Sequence, residues 1–122
     1  MPTYDIQERA FEFASGIVRF CHNLGDAHPV TQRLTRQLLN SGTSVGANLE
    51  EADAGQTKPD FRAKVAVARK ECFEAHYWLR LIVVSEKRLA ATTAPLLEEA
   101  KQLKAILTTI KKNSDADDER GG

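Results

Sequence analysis

A chain of 122 residues with 17 lysines and arginines against 17 aspartates and glutamates is one domain with zero formal net charge. That balance argues against a strongly basic nucleic-acid-binding domain, and no apolar run reaches the ~18 residues of a membrane span. Two cysteines make no disulfide framework and Met1-Pro2-Thr3-Tyr4-Asp5 starts no secretion signal, so the expected location is a reducing bacterial cytoplasm.

The first element is a helix over about Ile6 to Leu24, because Ile6, Ala10, Phe13, Ile17, Cys21 and Leu24 recur three and four apart. Asp5 is its expected cap, with Glu8 three residues later, and Gly25-Asp26-Ala27-His28-Pro29 breaks it. The second helix spans about Thr31 to Ala54 with Leu34, Leu38, Ser41, Val45, Leu49 and Ala52 inward, and Gly55 ends it. Gly42 and Gly46 each cost about 1 kcal/mol relative to Ala inside a helix, so they predict close approach of another backbone.

The third helix has the clearest start, since Thr57-Lys58-Pro59-Asp60 joins a hydroxyl cap, an early proline and an acid. Its stripe is Phe61, Val65, Ala68, Cys72, Ala75, Leu79 and Ile82, ending near Ser85 or Lys87. The fourth helix is expected from Thr93-Ala94-Pro95 to about Lys112, with Leu96, Leu97, Ala100, Leu103, Ile106, Leu107 and Ile110 inward. There is no internal repeat and no period-two strand pattern. The fold class is therefore all-α, an antiparallel up-down-up-down four-helix bundle over residues 1–113. The segment 114–122 holds Asp115, Asp117, Asp118 and Glu119 against Arg120, lacks apolar residues, and is expected to be an acidic disordered tail.

Two helices carry more apolar surface than one bundle needs. Val67, Phe73, Tyr77, Trp78, Val83 and Val84 lie off the core stripe of the third helix, and Phe11 and Val18 off that of the first. Such surplus predicts a subunit interface, with Phe73, Tyr77 and Trp78 at its centre and Trp78 largely buried.

Two runs carry a family likeness. Leu38 to Ala52 has Ser44, Asn48 and Glu51 at the pattern positions, and Phe61 to Leu81 has Glu74, Tyr77, Trp78 and Leu79. Together they resemble the 23S rRNA intervening-sequence proteins, which share their four-helix architecture with the accessory variability proteins of diversity-generating retroelements. The resemblance covers about a third of the chain in its specific part. It implies a homopentamer around a central channel and no known catalysis. Some members near retroelements are thought to handle nucleic acid with a strongly basic surface, from which this balanced chain departs.

Four groups of residues have the chemistry to act. Ser41, Ser44, Asn48 and Glu51 follow one another at helical spacing and, with Glu74, are expected to form a structural polar network. A buried glutamate needs a partner, and Arg69, Lys70 and Arg80 are the candidates for Glu51. Lys58, Arg62, Arg69 and Arg80, with His76 beside them, form a basic flank that suits a phosphate backbone, so RNA or DNA is one partner class left open and another protein is the other. Cys72 and His76, four apart, are a weak metal pair, because with Cys21 and His22 they still give no convincing third and fourth ligand. Neither metal nor cofactor is expected. Gly42-Thr43-Ser44-Val45-Gly46 lacks the strand and lysine of a phosphate loop, and no nucleophile stands beside a base. The expectation is a non-enzymatic oligomeric scaffold or adaptor, with the Asn48, Glu51 and Glu74 cluster as the only seat for an enzymatic alternative.

Overall fold

The computed structural model describes residues 3–119. Four helices follow in order: α1 (Thr3–His22), α2 (Pro29–Ala54), α3 (Lys58–Ser85) and α4 (Ala90–Glu119), with one 3-10 turn at Lys87–Leu89. Each helix packs on its sequence neighbours, α4 closes back on α1, and α1 and α3 stand on one diagonal of the bundle. The α2–α3 seam is the broadest and the α1–α4 seam the slightest. Neighbours run antiparallel. Thr31 meets Ser85 at one end of α2–α3 and Glu51 meets Lys64 at the other, while Arg9 of α1 reaches Glu99 of α4.

The periodic apolar positions form the core. Ile6, Ala10, Phe13, Ile17, Leu38, Val45, Leu49, Ala68, Cys72, Ala75, Leu79, Ile82, Ala100, Leu103 and Leu107 are buried in one cluster. Phe20 joins them although it lies beside the expected stripe, and Cys21 and Leu24 are only half-buried. The reason is that α1 stops at His22, two residues before the expected end, and Gly25 then takes φ 69, the left-handed conformation glycine adopts without strain. At the other end of α1, Asp5 does not cap the helix; it sits within the first turn, where a carboxylate faces the positive end of the helix dipole.

Gly42 and Gly46 do what their cost suggested. A Cβ on Gly42 would run into the Ile17 Cδ1 methyl, and one on Gly46 would come 3.5 Å from Ala10 Cβ, so α1 crosses α2 where α2 has no side chains. The loop ends are held by side chains. His28 Nδ1 accepts the Val30 N–H at 3.0 Å and Thr57 Oγ1 accepts the Asp60 N–H at 3.2 Å. The Glu86 carboxylate accepts from the His28 N–H at 2.7 Å and from Arg88 Nε at 2.7 Å, tying the α1–α2 loop to the α3–α4 connection. Its carboxyl lies below the usual range, first through the Thr31 hydroxyl and then through the His28 N–H and Arg88.

Helix α4 differs most from its expected bounds. It begins at Ala90 behind the buried Leu89, and Thr93 is buried with its hydroxyl on the Leu89 and Ala90 carbonyls. Pro95 therefore stands inside the helix instead of opening it. At the far end the expected tail is helical through Glu119, continued by the Lys111–Asp115 ion pair at 2.7 Å one turn apart. The part of the tail from 120 to 122 lies outside the described residues. No helix among the described residues is long and apolar enough to cross a membrane.

Candidate functional site

The polar stripe of α2 is a set of local bonds. Ser44 Oγ donates to the Asn40 carbonyl at 2.7 Å and Asn48 Nδ2 to the Ser44 carbonyl at 2.8 Å, one turn back in each case. Glu51 is exposed, and its partner is Lys64 at 3.0 Å across the α2–α3 seam, none of the three bases expected for it. Glu74 is ten residues further along α3 than Lys64, about 15 Å at helical rise, and lies beside Glu71. The burial of Glu71, the Glu74 charge and their hydrogen bond push the Glu71 carboxyl up, partly offset by Lys70. Asn48, Glu51 and Glu74 thus do not converge. Periodicity within one helix carries no information about the antiparallel register that separates them.

The expected basic flank also divides. Lys58 and Arg62 line a cavity of about 450 Å³ at one end of the bundle, floored by Ile6, Leu49, Val65 and Ile110. Arg69 and Arg80 lie further along α3, on the side that faces α4. There Arg69 Nε donates to Thr108 Oγ1 at 2.9 Å, and its guanidinium carbon stands 4.6 Å from the centre of the Phe73 ring. Lys104 Nζ lies 4.4 Å from the same ring and 3.4 Å from His76 Nδ1. Phe73 is 39% exposed, and two cations flank its ring.

His76 reports the field along this seam. Its imidazole is held below its ordinary value first by partial burial, then by Lys104, Arg80 and Lys101. Among the described residues no carboxylate lies within ion-pair distance of Arg69, Arg80, Lys101 or Lys104. Two acids of α4 precede the lysines: Glu99 is held by Arg9 through two bonds of 3.1 and 2.8 Å, and Glu98 accepts from Gln102 Nε2 at 3.3 Å. Lys101 and Lys104 escaped notice in the sequence because they stand on a different helix from the basic flank. Their spacing of three, on the side of α4 that Thr108 shares, is the signal that would have found them.

The cysteines serve packing. Cys72 is buried, its Sγ donates to the Ala100 carbonyl at 3.6 Å, and burial pushes its thiol up to about 12. His76 turns its Nδ1 to Lys104, so the Cys72–His76 pair is not arranged around a common ligand. Trp78 is half-buried against the core, with Tyr77 edge-on at 5.3 Å between ring centres. Phe11, Val18, Val67, Tyr77 and Val84 are all exposed, Val84 at 76% and Phe11 at 62%. Val30, 52% exposed at the start of α2, adds to them.

Comparison with known proteins agrees with this architecture. A crystal structure of a protein of unknown function from the S23 ribosomal protein family of Bacteroides thetaiotaomicron VPI-5482 superposes with a TM-score of 0.80. It is 30% identical, and the match covers 92% of this chain and 99% of that one. No curated protein matches. The sequence model of the 23S rRNA-intervening sequence protein family matches residues 3–109, from the first turn of α1 to the last core positions of α4. With four helices, one shared core and that match over most of its length, this chain belongs to the 23S rRNA-intervening sequence protein family.

Proposed function

We propose that this protein is a non-enzymatic, ring-forming adaptor of the bacterial cytoplasm, built from five copies of the bundle. The observation that carries the reading is the placement of its exposed apolar side chains. Phe11 and Val18 stand on α1, and Val67 and Val84 on α3, two helices on the diagonal of the bundle. Apolar faces on opposite corners cannot both be covered by a two-fold contact of one patch on itself. They suit a head-to-tail contact, α1 of one copy on α3 of the next, the kind of contact that forms a ring when its rotation closes. The number five rests on the family likeness.

The adaptor reading is supported by the dispersal of Asn48, Glu51 and Glu74, which do not assemble into one carboxylate cluster. Ser44 and Asn48 then serve the helix that bears them, and Glu51 helps to clasp α2 to α3. Light scattering coupled to size exclusion tests the assembly. Five times the 13.5 kDa chain mass is the expected result, and both Phe11→Glu and Val84→Glu are expected to yield monomers that keep their helical content. A monomeric parent at micromolar concentration overturns the ring, and another integer overturns only the stoichiometry.

A further inference from the structure

We propose that the α3–α4 seam, formed by Arg69, His76, Arg80, Lys101 and Lys104 with Tyr77 beside them, is a binding track for single-stranded nucleic acid. The site lies within one protomer and does not require the ring.

The charge arrangement points to a ligand of extended negative charge. Five basic groups from two helices gather along one seam, and among the described residues none of the four permanent cations has a carboxylate partner. Like charges held this closely repel one another, and a bound polyanion relieves that repulsion while releasing its counterions. Arg69 and Arg80 are about 16 Å apart along the axis of α3 at helical rise, longer than a single phosphate group, so the track fits several phosphates in succession.

The aromatic residues narrow the ligand from any polyanion to a nucleic acid. Phe73 is occupied on its ring by Arg69 and Lys104, which it holds in place. Tyr77, one turn further along, is 51% exposed and next to Arg80 on the helix surface. An exposed ring beside a row of phosphate-binding cations offers an unpaired base a stacking surface, which a duplex with its bases inside does not use. His76 adds a pH dependence. It faces Lys104, Arg80 and Lys101, and its imidazole lies below the ordinary value while the seam is empty. A bound phosphate offsets those cations, so binding takes up a proton at His76 and tightens as pH falls.

The test titrates the full chain with a fluorescently labelled 20-nucleotide oligouridylate at low salt, and with heparin as a polyanion without bases. The track predicts binding that weakens steeply with salt, as phosphate contacts do. Lys101→Glu with Lys104→Glu is expected to weaken it at least tenfold, and Arg80→Glu, on an exposed position of the other helix, severalfold. Lys58→Glu, at the end cavity, is expected to leave it within twofold. Tyr77→Ala is expected to lose roughly fivefold or more for the oligonucleotide and nothing for heparin. Binding is expected to be tighter at pH 6 than at pH 8 in the parent and equal at both in His76→Gln. Circular dichroism of each variant confirms that the helices remain. No binding at low salt overturns the proposal, as does an equal loss in Lys58→Glu. Equal effects of Tyr77→Ala on oligonucleotide and heparin overturn the nucleic-acid assignment and leave a general polyanion surface. The assembly mass, measured separately, is unaffected by any of these outcomes.

Discussion

The two flanks of α3 are made from similar residues and treated differently. On the side toward α2, Lys64, Glu71 and Trp78 recur seven apart. Lys64 pairs with Glu51, Glu71 stands beside Glu74, whose charge helps to push its carboxyl up, and Trp78 packs on the core. On the side toward α4, Arg69, His76 and Arg80 meet Lys101 and Lys104, and among the described residues none of these cations is ion-paired. The α2 flank lies on the broadest seam of the bundle, and its one cation, Lys64, is paired within the fold. The α4 flank keeps its cations at the surface, where their mutual repulsion is a standing cost that folding does not relieve.

This contrast can be broken at several points. The largest expected effect is from Trp78→Ala, which removes a half-buried ring from the packed flank. Thermal or denaturant unfolding is expected to show a loss of about 2 kcal/mol, below the range for fully buried tryptophans. Lys101→Glu on the opposite flank is expected to leave stability unchanged or raise it by a few tenths of a kcal/mol, because it relieves repulsion. A loss as large as that of Trp78→Ala would mean that the cationic flank also holds the fold together.

Two smaller effects depend on pH and have opposite signs. The Glu71 carboxyl is raised in the fold, so the native state holds more protons and stability falls as pH rises above the ordinary value of 4.5. Glu71→Gln is therefore expected to stabilise the protein by about 0.3 kcal/mol at neutral pH, a gain that disappears below pH 4.5. The His76 imidazole is lowered, so the unfolded state holds more protons and stability is lost as pH falls through its ordinary value of 6.5. His76→Gln is expected to flatten that part of the melting-temperature profile. Smallest is Lys64→Ala, which removes an ion pair between exposed groups and is expected to cost only a few tenths of a kcal/mol.

How much was legible differs from element to element. The α3 start was readable residue by residue, because a cap, a proline and an acid are local devices that need no other helix. The start of α4 was not, since Thr93 and Pro95 look like an opening only until the buried Leu89 extends the helix ahead of them. The extension of α4 to Glu119 was hidden by the polar composition of its last turns, where an ion pair one turn apart supports the helix. The polar residues of α2 were placed on the correct face but were assigned long-range partners, whereas Ser44 and Asn48 bond one turn back on their own helix.

The sequence by itself determined the four helices, the core stripes and the small residues at the α1–α2 crossing, because periodicity of 3.6 and local caps are written into neighbouring residues, and the two motif runs carried the family likeness. Only the tertiary structure decided which side chains from different helices share a surface. It separated Lys58 and Arg62 from Arg69 and Arg80, parted Glu51 from Glu74, and brought Lys101 and Lys104 to His76. Register between antiparallel helices is set by the packing of whole faces, so no spacing within one helix reveals it.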